Sequence, residues 1–195
     1  ASHESFFRLG MVCYVIASVL FIFMTLALYR LLKRVDQELA VLMVIFGSLL
    51  PAPIFFINSV TDAATVLFAR GADFLSVFDK PQRDAFVMFF LTLHHHLDIA
   101  DAIFWGLWLL PLGLLIYRSR FMPRLLGIWL MVECFAWLAF SIAGILRPGQ
   151  ESWIFTVSKP LRMAEVALML WLITVGARAR KGDVAGYPVP ASSGA

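Results

Sequence analysis

Charge is what this sequence has least of. Asp, Glu, Lys and Arg make up 15% of its 195 residues, against about 25% in ordinary soluble domains. Cysteine is almost missing as well. The two present, Cys13 and Cys134, sit in apolar runs with no CxxC or Cys/His zinc spacing around them. That excludes a disulfide scaffold or a zinc ribbon, and both are expected to be free structural thiols. There is no phosphate loop, no GxSxG and no HExxH, so the common nucleotide, serine-hydrolase and zinc-protease chemistries have no foothold. The arginines are too few and too scattered for a nucleic-acid surface.

What fills the chain instead is apolar surface, 61% of all residues, with 18 Phe and 6 Trp. A crossing helix needs about 20 apolar residues. Residues 9–29 carry no charge at all. The run exceeds the ~7–15-residue core of a signal peptide, so it is expected to be a retained crossing. The second run, 39–61, contains Pro51 and Pro53, which should kink it. Residues 63–79 are mixed, too polar to cross, and suit an overhanging or interfacial helix. Asp79-Lys80-Pro81 is a helix-start signal.

The third run, 86–117, would be about 48 Å long as one helix, more than the ~30 Å hydrocarbon core. Its first residues should therefore project beyond the bilayer and pack on protein, and Pro111 should bend it. Pro123 opens a fourth helix to about Ile145. Pro160 opens a fifth, over 161–177, with Arg162 and Glu165 in its first turn. The division expected is a bundle over 1–177 and a flexible cytoplasmic tail over 178–195, rich in Gly, Pro, Ser and Ala.

The expected fold is thus an all-α integral membrane bundle of five transmembrane helices, with six possible if 63–78 also crosses. With five, one side receives Arg30, Lys33, Arg34, Arg118, Arg120 and Arg124, joined by Arg178, Arg180 and Lys181. The positive-inside rule puts that side in the cytoplasm, N-terminus out and C-terminus in. A bacterial inner membrane is the expected location and the lipid bilayer the first partner. Ala102-xxx-Gly106 and Ala139-xxx-Ala143 offer small-residue spacings for helix contacts.

The polar residues concentrate in one stretch. His94, Asp98 and Asp101 are spaced i, i+4, i+7, which shares one helical face. Trp105 and Trp108 continue the stripe. Imidazole and carboxylate are the usual ligands of zinc, iron or manganese, so these three form the candidate metal set. His94, His95, Glu133 and Glu165 are the candidate cofactor-binding set, for a metal, haem, pigment or quinone. Counted from the basic helix ends, Asp101 lies about 24 Å deep, Glu165 about 20 Å and Glu133 about 15 Å, near the midplane. Arg8, Asn58 and Asp62 come to the same end as the histidines, as does Arg162, which should neutralise Asp98 or Glu165. Such groups also suit an ordinary hydrogen-bonded network or a proton path. A midplane carboxylate such as Glu133 is costly and faces protein or serves a function.

Three segments carry a resemblance. They are Leu93-His94-His95, then Ile103-Phe104-Trp105-Gly106-Leu107-Trp108-Leu109-Leu110-Pro111-Leu112-Gly113, then Ser119-Arg120-Phe121-Met122-Pro123-Arg124-Leu125-Leu126-Gly127. With them the chain, over roughly 7–177, resembles a bacterial family of small multi-pass membrane proteins, domain of unknown function 4386. The resemblance implies a helical membrane bundle and no particular activity. His94 and His95 match histidines common in its pattern, whereas Asp98 and Asp101 fall where it has apolar residues. In the basic segment Pro123 starts a helix, Arg124 anchors it at the head groups, and Gly127 permits close packing. The functional expectation is a non-enzymatic accessory or scaffolding subunit of a larger membrane complex, respiratory or photosynthetic, with other membrane subunits as partners. The alternative is a ligand-binding or catalytic membrane protein using the His/Asp cluster.

Overall fold

The computed structural model describes residues 2–176, and within them every regular element is helical. The tail expected over 178–195 lies outside the described residues. Helix α1 covers Ser2–Leu32, α2 Gln37–Val44 and α3 Pro51–Arg70. Then come α4 (Lys80–Leu107), α5 (Leu109–Arg118) and α6 (Arg124–Leu146). Helices α7 (Glu151–Val157) and α8 (Met163–Trp171) complete the order. Four stretches are long and apolar enough to cross a membrane: Glu4–Leu32, Gln37–Arg70, Lys80–Arg118 and Arg124–Leu146. The segment read as a fifth crossing is a shorter apolar helix, Met163–Val175. Large apolar side chains such as Leu9, Phe23, Phe56, Leu125, Phe135 and Ile173 point outward. A soluble fold would bury them, and a lipid-facing one does not. This is a membrane protein.

Pro51 and Pro111 interrupt the helical hydrogen-bond ladder, whereas Pro53 lies within an unbroken α3. Pro51 cannot bond back, and the turn before it, Ile45–Leu49, widens to i→i+5 bonding, with Leu50 N–H reaching the Ile45 carbonyl at 3.0 Å. Pro111 likewise gives nothing to the carbonyl four residues back, and the third long helix breaks at Trp108 into α4 and α5. These two irregular turns meet. A Cβ added at Gly47 would lie 3.2 Å from both Thr25 and Trp108, and the Thr25 and Ser48 hydroxyls are in direct contact.

The polar stretch after 61 does not cross separately. It continues α3 to Arg70, where Gly71, at φ 67°, ends the helix in the left-handed conformation that favours glycine. Helix α4 starts with a capping box: Asp79 accepts the Gln82 N–H at 2.8 Å and Gln82 accepts the Asp79 N–H at 3.0 Å. The overhanging start of α4 is covered by this extension of α3. Phe68 stacks on Phe86 and Phe90 with centroids 4.7 and 5.7 Å apart.

Helix α5 packs on α6, α4 on α6 and on α3, and α2 on α5. The α5–α6 approach is backbone on backbone. A Cβ at Gly113 would meet the Gly127 carbonyl at 2.7 Å, and one at Gly127 would meet the Gly113 carbonyl at 2.6 Å. Lipid drives helices together less than close packing does, so this seam matters more than its small area suggests. Beside it lies the core, with Leu32, Met43, Leu109, Leu112, Leu115, Ile116, Leu130 and Leu168 all inaccessible to solvent. The loops at this end carry the arginines, and Arg118 clamps the two loops together through Asp36, 2.6 Å away, which also caps α2.

Candidate functional site: a His/Asp network beside an aromatic cavity

Helices α3 and α4 face each other with two polar rungs each, four residues apart. On α3 they are Asn58 and Asp62. On α4 they are His94 and Asp98. The rungs interlock. His94 Nδ1 lies 2.9 Å from Asp62 Oδ1, and His94 Nε2 lies 3.3 Å from Asp98 Oδ2. Asn58 Nδ2–H donates to Asp98 Oδ1 at 2.7 Å. Asn58 is fully buried and Asp62 nearly so. The imidazole therefore bridges two carboxylates. Tyr14 of α1 packs its ring against His94, centroids 6.1 Å apart, with Asn58 beside its hydroxyl.

Asp101 does not join this ring. It shares the azimuth of His94 but sits two turns, about 10.5 Å, further along the axis. Its Oδ2 accepts the Trp105 Nε1–H at 2.7 Å, and its Oδ1 is buried without a hydrogen bond. Among the described residues no group of three or more His, Cys, Asp and Glu is arranged to hold a metal ion. The three adjacent histidines diverge. His95 turns to Glu151 of α7, 3.7 Å away, and His96 is exposed.

Glu133 and Glu165 form a separate pair on α6 and α8. Glu133 is fully buried, and neither of its carboxylate oxygens has a hydrogen-bond partner. Arg162, expected to neutralise Asp98 or Glu165, acts on Glu165 and Glu133 rather than on Asp98. Its guanidinium lies 3.4 Å from the Phe155 ring centroid and 5.2 Å from that of Trp137, and it donates to the Phe155 carbonyl at 2.9 Å. Arg8 is outside the network too. It pairs with Glu4 at 2.8 Å on the surface.

Beside the network, between α1, α4, α6 and α7, lies a cavity of about 280 Å³. Tyr14, Trp105, Trp137, Phe140 and Phe155 wall it, and Asp98 and Asp101 line it with His95. A second cavity, about 320 Å³, lies on the other flank of His94 and also touches Tyr14 and Asp62. The sequence reading missed Tyr14, hidden in an uncharged run. It also missed α7, which has seven residues. Its signal was present, a glutamate opening Glu151-Ser152-Trp153-Ile154-Phe155 one residue after Arg147-Pro148-Gly149. The Glu151 carboxyl is held below its ordinary range by its own backbone N–H first, then by Gly149 N–H and His95.

Fold and polar core together define a multi-pass helical membrane protein. The chain belongs to the family described as Domain of unknown function (DUF4386), whose sequence model matches residues 1–176. Neither a curated protein nor a solved structure matches it.

Proposed function

We propose that this protein binds a small molecule in the aromatic cavity, with the His94 network holding that cavity open in a fixed shape. The observation that carries the reading is the cavity's composition, with the buried Asp101, the more exposed Asp98 and aromatic faces converging on one space. Its volume is at the lower edge of the ~300–1,000 Å³ typical of ligand sites. That fits a small ligand better than a haem or a tetrapyrrole pigment. His94 and Asp98, first read as metal ligands, act here as positioning residues, and Asp101 faces the ligand. Glu133 and Glu165 flank the site from α6 and α8. The test is native mass spectrometry of protein released gently from membranes. A bound small molecule should be seen in the wild type and lost in Ala102→Leu, which fills the cavity from a buried position on its wall. Identical spectra from the two would remove the reading.

A second reading, an accessory subunit of a respiratory or photosynthetic complex, is favoured by α1. Only 11% of its crossing segment is buried, against 61% for the stretch Lys80–Arg118. Recovery of nothing but monomer after mild solubilisation would sink it.

We also propose five crossings in a bacterial inner membrane, N-out and C-in. The clustering of Arg30, Lys33, Arg34, Arg118, Arg120 and Arg124 at one end supports this. Ser119 is buried, so the reporter of choice is Phe121→Cys in a Cys13→Ser background. Its labelling from the periplasm would overturn the orientation.

A further inference from the structure

One carboxylate oxygen in the aromatic cavity has no partner. Asp101 is 2% exposed and lines the cavity, and its Oδ1 makes no hydrogen bond. Asp98, by contrast, is served by Asn58, His94 and His95. The neighbouring charge that reaches Asp101 is that of Asp98, of the same sign. A buried carboxylate beside a like charge is stabilised either by a proton or by a counter-charge. The walls already show an affinity for cations, since Phe155 and Trp137 take the Arg162 guanidinium on their faces. Arg162 occupies those two rings, which leaves Trp105 and Tyr14 beside Asp101.

We propose that the cavity takes a small organic cation, an amine or quaternary ammonium with an apolar body, its charge beside Asp101 Oδ1 and its body against Trp105 and Tyr14. This rests on the reading of the cavity as a ligand site and names the ligand's class. Among the described residues no group of three or more His, Cys, Asp and Glu is arranged to hold a bare metal ion there. The volume, about 280 Å³, is that of about nine waters at ~30 Å³ each. That matches a body such as phenyltrimethylammonium.

The experiment titrates phenyltrimethylammonium and its neutral isostere tert-butylbenzene into the full chain in nanodiscs. It follows tryptophan fluorescence, with empty nanodiscs as the blank. The cation should bind saturably and at least tenfold more tightly than the isostere. Asp101→Asn should remove that preference and leave the isostere unchanged, while Trp105→Leu should weaken both. If Asp101→Asn does not fold, the wild-type comparison decides. Equal binding of cation and isostere, blocked by Ala102→Leu, would overturn the charge assignment and keep the ligand cavity. No saturable binding of either probe would overturn both.

Discussion

The two ends of the bundle use the same helices but are packed by different rules. At the basic end the buried side chains are aliphatic, Leu32, Met43, Leu112, Leu115 and Ile116, and two glycines let α5 and α6 touch through their backbones. At the histidine end the buried side chains are Asn58, Thr61, Asp62 and Asp101, and two cavities remain between them. Close packing leaves no room for a guest, whereas a polar network holds its shape around empty space because hydrogen bonds fix distances. On the proposed reading the basic end is the scaffold and the histidine end the place where a ligand enters.

That contrast sets an order of effects. Gly127→Leu drives a side chain into the Gly113 carbonyl and the Tyr117 backbone. It should cost about 3 kcal/mol or more and abolish a folded, monodisperse protein in size-exclusion chromatography. Recovery of wild-type protein would mean that the α5–α6 seam is looser than described. Leu112→Ala should come next, lowering thermal stability in detergent by about 2–5 kcal/mol through the cavity it leaves. His94→Ala should cost less, about 1–2 kcal/mol, since Asp62 and Asp98 lose a shared partner but border cavities that water can enter. An effect as large as that of Leu112→Ala would erase the proposed difference between the ends.

The smallest effect concerns the loop end of the histidine side. The folded Glu151 carboxyl is held below its ordinary value of 4.5. Its contribution to stability is thus complete above that value and is lost as pH falls through the folded one. Glu151→Gln should lower stability slightly at neutral pH, where that contribution is complete, and flatten the acid limb of a stability–pH curve below about pH 4.5, where the two proteins converge. An unchanged acid limb would detach α7 from the site.

The basic end was the more legible in sequence, for a physical reason. Apolar run length and proline act locally, and they placed α6 to within a residue or so, whereas α1 began seven residues earlier than its uncharged run and the run 39–61 divided into α2 and an α3 that continues to Arg70. Gly127 was readable as a packing glycine, but its mate Gly113 was not. Which glycine it meets depends on the register between two helices, and no spacing within one helix reports that. The site followed the same division. His94 and Asp98, one turn apart, do contact each other. Asp101 shares their face on a helical wheel, but a wheel discards the axial coordinate, and two turns of rise take it to a different neighbour. The Asn58–Asp98 and His95–Glu151 contacts join residues 40 and 56 apart in the chain, distances at which periodicity carries no signal.

The meeting of the two proline-broken helices has a consequence for permeation. Gly47, Trp108 and the touching hydroxyls of Thr25 and Ser48 lie between the cavities and the aliphatic packing of the basic end. Trp108, which is 3% exposed, lines neither cavity and packs with Leu109, Leu112 and Leu115 in the buried core. On the proposed reading a ligand in these cavities would have that buried core between it and the basic end, so it would enter and leave on the histidine side.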